Sequence, residues 1–86
     1  MRVPGKMTIE SGVPVSEFIR YFQSIAVTQD HRRFTGPGWT IEVISSKEVQ
    51  MGALTLPRTM LLFQGNPETV KALVDEFRIR FLSAGG

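Results

Sequence analysis

The chain has 86 residues, no cysteine, 10 basic against 8 acidic side chains, and a hydrophobic content of 42%. That length holds one domain around one core, so residues 1–86 are expected to form a single unit. The missing cysteines exclude a disulfide framework and thiolate metal sites. The opening Met1-Arg2-Val3-Pro4-Gly5-Lys6 is followed by no apolar signal-like stretch, and no apolar run approaches the roughly 18 residues of a membrane span. A cytoplasmic protein that does not enter a membrane is the expectation.

Lys6 to Glu10 is the first β-permissive stretch, closed by Ser11-Gly12. Pro14 suits a first helical position, where its missing N–H would have no partner anyway. From there Val15, Phe18, Ile19, Phe22, Ile25 and Ala26 form one apolar stripe of helical period. Ser16, Glu17, Arg20, Gln23 and Ser24 take the other side, with Glu17 and Arg20 spaced to pair. Thr28 to Gly38 is polar, basic and turn-rich, with room for a short edge strand around Arg32 to Thr35.

Three β-favouring segments are then expected: Trp39 to Ser45, Glu48 to Leu56, and Thr59 to Gln64. Ser46-Lys47 and Leu56-Pro57-Arg58-Thr59 are read as the tight connections, which force antiparallel neighbours. Asn66-Pro67-Glu68 announces a second helix, with Asn66 as N-cap, Pro67 first inside, and Glu68 at the positive end of the dipole. Val70, Leu73, Val74, Phe77 and Phe81 are its apolar stripe. Glu76 and Arg80 are spaced to pair. The fold class is therefore α+β, an antiparallel sheet of four or five strands with two helices on one face, in the order β-α-(β)-β-β-β-α.

Met60-Leu61-Leu62-Phe63 is apolar on both faces of its strand, whereas a strand with one wet face alternates. Val49, Met51 and Ala53 opposite Leu54 and Leu56 repeat the pattern. Two helices cover one face, so the Thr28 to Gly38 segment folded back, a second copy of the chain or another protein is expected on the other. Met51, Met60 and Leu62 are the candidate interface. Ile79 joins them because it projects away from its own helix's apolar stripe.

His31-Arg32-Arg33, with Phe34 and Trp39 nearby, is the densest functional-looking cluster. Arginine forks bind phosphate or carboxylate, and flanking aromatics can stack a base. These three residues are the candidate ligand contacts, and a nucleic-acid-binding domain is the alternative function. Against it, the charges of both signs alternate rather than forming a basic stripe, and two arginines neutralise few phosphates. His31 is the only histidine, so a metal cluster or a triad has little to build on. No Walker-type loop, dinucleotide fingerprint or EF-hand spacing occurs, and Gly36-Pro37-Gly38 reads as a turn. No catalytic residue, metal or cofactor is assigned. The reading is a non-catalytic binding or assembly module, a homodimer or a protein's partner.

Two resemblances add expectations. Gly85-Gly86 resembles the tail of the ubiquitin-like sulfur-carrier proteins, where it follows a final strand and is activated as an acyl-adenylate or thiocarboxylate. That implies a carrier role, while glycine past a helix end is also an ordinary C-cap. The order of elements is similar to one repeat of the TATA-box-binding protein fold. This resemblance implies both helices on one side of an antiparallel sheet and a free face for binding or pairing.

Overall fold

The computed structural model describes residues 5–85, and side chains as far as Phe81. The chain runs β1 (Lys6–Ser11), α1 (Val15–Ile25), β2 (Thr28–Asp30), β3 (Arg33–Gly36), β4 (Trp39–Met51), β5 (Leu54–Gly65) and α2 (Pro67–Gly85). All pairings are antiparallel, in one sheet of order β1-β5-β4-β3-β2. The fold class expected from sequence is the one observed, with five strands and two helices. Among the described residues no helix is long and apolar enough to cross a membrane.

The strand boundaries differ from the expected ones. Residues 28–36 form two strands, turning at His31-Arg32 with His31 at φ 53. That left-handed conformation is uncommon outside glycine but enriched for histidine. Residues 39–65 then form two long strands instead of three. The turn is Gly52-Ala53, where Gly52 at φ 63 takes the first position of a two-residue hairpin loop. Ser46-Lys47 is ordinary strand, and Pro57 lies inside β5 opposite Glu48. Proline is tolerated there because β1 pairs with β5 only from Thr59 onward, so the missing N–H leaves no ladder bond unmade.

A bulge between Val43 and Ser45 interrupts the β4–β5 register. Before it Trp39, Ile41 and Val43 face the helices and are buried. After it Ser46, Glu48 and Gln50 lie on that side, opposite Thr59, Pro57 and Thr55.

The core between sheet and helices is largely aromatic. Phe18 and Phe22 of α1 and Phe77 of α2 are fully buried with Phe34 and Phe63 of the sheet. Ring centroids at 5.4 Å for both Phe22–Phe34 and Phe63–Phe77 tie the two layers together. Val70 and Val74 are buried beside them, and Leu73 and Phe81 are half-buried, as the helical stripe requires.

The helix ends follow the sequence with two adjustments. Pro14 is the N-cap of α1 rather than its first residue; at ψ 142 it is extended, and its carbonyl accepts from the Glu17 N–H at 3.1 Å. Asn66 caps α2 as expected, its Oδ1 accepting from the N–H of Glu68 at 3.0 Å and Thr69 at 3.4 Å. At the other end α2 continues through Gly85, so this glycine ends the helix instead of following it. Gly86 lies outside the described residues.

Candidate functional site

The sheet face turned away from the helices can be built row by row from the ladder register. Lys6, Gln64, Thr40, Thr35 and Thr28 form one row across the five strands, and Thr8, Leu62, Glu42, Arg33 and Asp30 the next. Glu10, Met60 and Ser45 follow on the three strands that continue. Over the body of the sheet this face is therefore mostly polar. Leu62 and Met60 are half-buried apolar residues set among charges and hydroxyls. The broadly apolar free face expected from sequence is not present there, because β1, β2 and β3 supply no apolar side chain to it.

The apolar surface lies further along. Among the described residues, those from 47 to 58 of β4 and β5 pair only with each other, because β3 reaches β4 no further than Glu42 and β1 reaches β5 no further than Thr59. They form a two-stranded arm. Val49 faces Leu56 and Met51 faces Leu54, on the face continuous with Met60 and Leu62. Met51 and Leu54 are 59% and 65% exposed, and Leu56 is exposed as well. A two-stranded ribbon alone in water is marginally stable at best, so an apolar face on such an arm is a surface that gains from being covered.

At the base of the arm Lys47 and Arg58 stand directly opposite one another. Arg58 also pairs with Glu10 at 3.4 Å, which ties the arm's root to β1. Thr59 Oγ1 donates to the Val13 carbonyl at 3.1 Å on the helix side.

Met51, Met60 and Leu62 thus share one continuous face. Ile79 does not belong with them. It is 71% exposed on α2 and lines a groove with Tyr21, Ile25, Glu76 and Arg80, on the opposite side of the molecule. In that groove the Arg80 guanidinium lies 4.8 Å from the centre of the Tyr21 ring. This contact replaces the expected Glu76–Arg80 pair. Burial is the main cause that raises the Tyr21 pKa above its ordinary 10.0; Glu76 raises it further and Arg80 opposes. Lys71 and Asp75 form the i,i+4 pair of this helix, at 3.1 Å.

His31, Arg32 and Arg33 are brought together at the β2–β3 turn, where they line a shallow depression with Asp30, Glu42 and Val43. Arg33 pairs with Glu42 at 3.3 Å across the β3–β4 ladder. Asp30 faces Arg33 from the other side. The two acids lower the positive charge that the sequence suggested for this cluster. Among the described residues, no group of three or more histidine, aspartate and glutamate side chains could hold a metal ion.

The arm is the feature that sequence reasoning missed. The signal was present in Gly52-Ala53, a Gly-X pair between two β-favouring runs, which is a hairpin turn in its own right.

No curated protein and no solved structure matches the chain. A family model does match, over residues 7–86, and its description is archaeal MoaD-like protein. Since the match spans nearly the whole sequence, the chain belongs to the family of archaeal MoaD-like proteins.

Proposed function

We propose that this protein is a non-catalytic, cytoplasmic assembly module that works as a homodimer and offers the β4–β5 arm, with Met60 and Leu62 at its base, to a protein partner. The observation that carries the reading is the arm itself. Among the described residues, those from 47 to 58 have only each other as ladder partners and carry Val49, Met51, Leu54 and Leu56 on one face. Surfaces of this kind drive recognition when a partner removes them from water, at roughly 25 cal/mol per Å² of apolar area. The basic turn at His31 supports ligand binding less well, because Arg33 is already paired with Glu42. That pairing also weakens the nucleic-acid reading.

The test is affinity purification of the tagged full-length chain from its own cells, compared with a Met51→Glu/Leu54→Glu variant whose circular dichroism matches the wild type. One protein of reproducible stoichiometry is expected with the wild type and absent with the variant. Recovery of the same protein at equal yield with both defeats the arm as docking surface.

A second reading is favoured by family membership, which agrees with the likeness of Gly85-Gly86 to the sulfur-carrier tail. In that reading the glycine pair carries an activated acyl group. The course of α2 through Gly85 works against it, since a helical residue is not an extended tail. If a strain with Gly86 deleted behaves like the wild type, the carrier reading falls; if it behaves like a strain lacking the gene, the assembly reading is incomplete.

A further inference from the structure

Among the described residues, β1 lies at the edge of the sheet, with β5 as its one ladder neighbour. Along its outer side, no described residue hydrogen-bonds its backbone. Proteins usually blunt such an edge with proline, a bulge, a very short strand or charged side chains, and on β1 the charges are one of each sign, Lys6 and Glu10. The opposite edge follows that rule, since β2 has only three residues. β1 has six, with neither a proline nor a bulge.

Its side chains are complementary to themselves. Lys6, Thr8 and Glu10 are exposed on the face away from the helices, while Met7 is half-buried and Ile9 buried on the helix side. An antiparallel copy centred on Thr8 places Lys6 opposite Glu10 of the second chain and Glu10 opposite its Lys6. Thr8 then meets Thr8, and Met7 meets Ile9 on the core side. Opposite charges, paired threonines and apolar pairs are the cross-strand combinations that stabilise a ladder. The same operation on β2 sets Thr28 against Asp30 and Gln29 against Gln29, with no opposite charges to pair.

We infer that two copies of this chain join edge to edge through antiparallel β1 strands, related by a twofold axis at Thr8, to form one continuous sheet. The contact is isologous and closes at two, so it makes a dimer and not a fibre. Both sets of helices fall on one side, and both free faces, with their arms, on the other. The inference deepens the assembly reading by naming the contact that makes the homodimer. Glu10 already holds Arg58 of its own chain at 3.4 Å, so an incoming Lys6 adds a third charge to that pair. The contact is a strand edge alone, which points to a weak, concentration-dependent dimer.

Sedimentation of the full chain over roughly 1 µM to 1 mM tests it. The wild type should shift from monomer to dimer within that range. Lys6→Glu sets two like-charged pairs across the seam and should raise the dissociation constant by roughly tenfold or more. Adding Glu10→Lys to Lys6→Glu exchanges the charges, restores both pairs, and should bring dimerisation back. Both positions are exposed, and circular dichroism verifies that each variant is folded. A monomeric wild type overturns the inference, as does a Lys6→Glu chain that dimerises normally or an exchanged pair that stays monomeric. The Met51→Glu/Leu54→Glu variant should still dimerise. Loss of the edge contact is thereby distinguished from loss of the arm's partner.

Discussion

Gly36 and Trp39 form the closing pair of the β3–β4 hairpin, and the indole of Trp39 lies where a side chain on residue 36 would go. A Cβ at Gly36 would sit inside the van der Waals envelope of the ring, 2.7 Å from Nε1. Trp39 is only 8% exposed, so the ring has little room to retreat. Gly36→Val should therefore cost about 1–3 kcal/mol, the usual range for overpacking. Trp39 is the only tryptophan, so its fluorescence in the folded state reports the displacement, and urea unfolding reports the loss.

Among the described residues Phe22 touches the most rings, Tyr21 at 5.8 Å being one of five. Its centroid lies 6.1 Å from Phe18, 5.4 Å from Phe34, and 6.3 Å from both Phe63 and Phe77. Phe22→Ala removes the link between α1 and the sheet and should cost about 3–5 kcal/mol. In a domain of this size that approaches the whole stability. The variant is expected to be largely unfolded in far-UV circular dichroism at about 37 °C, which lies below the roughly 45–65 °C at which mesophile domains melt.

Tyr21 links stability to alkaline pH. Burial and Glu76 raise its pKa above 10.0 in the folded state, with Arg80 opposing. A raised folded pKa means that the native state holds the phenol proton more tightly than the unfolded chain. The stabilisation is thus fully present below pH 10 and is lost as pH rises through the folded value. Tyr21→Phe should leave the melting temperature at neutral pH nearly unchanged and flatten its decline above the ordinary tyrosine range. As the single tyrosine, Tyr21 can also be titrated directly by phenolate absorbance. Arg80→Gln should move that titration to higher pH.

Asn66 accepts hydrogen bonds from two backbone N–H groups that α2 cannot satisfy internally. Asn66→Ala should cost about 1 kcal/mol, and Asn66→Asp should restore the cap. Chemical denaturation of the three proteins at neutral pH checks the order.

Both helices were legible because their signals are local and redundant. Val15 to Ala26 and Val70 to Phe81 repeat one stripe over several turns, and Asn66-Pro67-Glu68 marks a start by three separate effects. The long hairpin was not legible for the opposite reason. Pro57 carries a strong turn signal, but its place on an unpaired edge lets it remain in strand. Gly52-Ala53 carries a weaker signal, and it decides the topology. At the candidate site, the sequence marked Met51, Met60 and Leu62 as lacking cover, and these three do share a face. Ile79 looked similar in sequence, yet its helix places it across the molecule. The Arg33–Glu42 pair could not be read from a spacing of nine residues, because it depends on the register of two strands.

The irregularity beside Ile44 governs more than its own neighbourhood. A strand has a phase, and the extra residue reverses it: odd positions look toward the helices up to Val43, even positions from Ser46 onward. Without that reversal Val49 and Met51 would point to the helix side, while Leu54 and Leu56 across the ladder would not. Looping that residue out of the ladder keeps the apolar side chains of both strands on the same surface. Deleting Ile44 would leave them there as well, since Ser45 already pairs with Met60 and Ser46 with Thr59, and would remove only the local bend and twist that a bulge adds. Forcing Ile44 into the ladder is what would set the two halves of the arm out of phase.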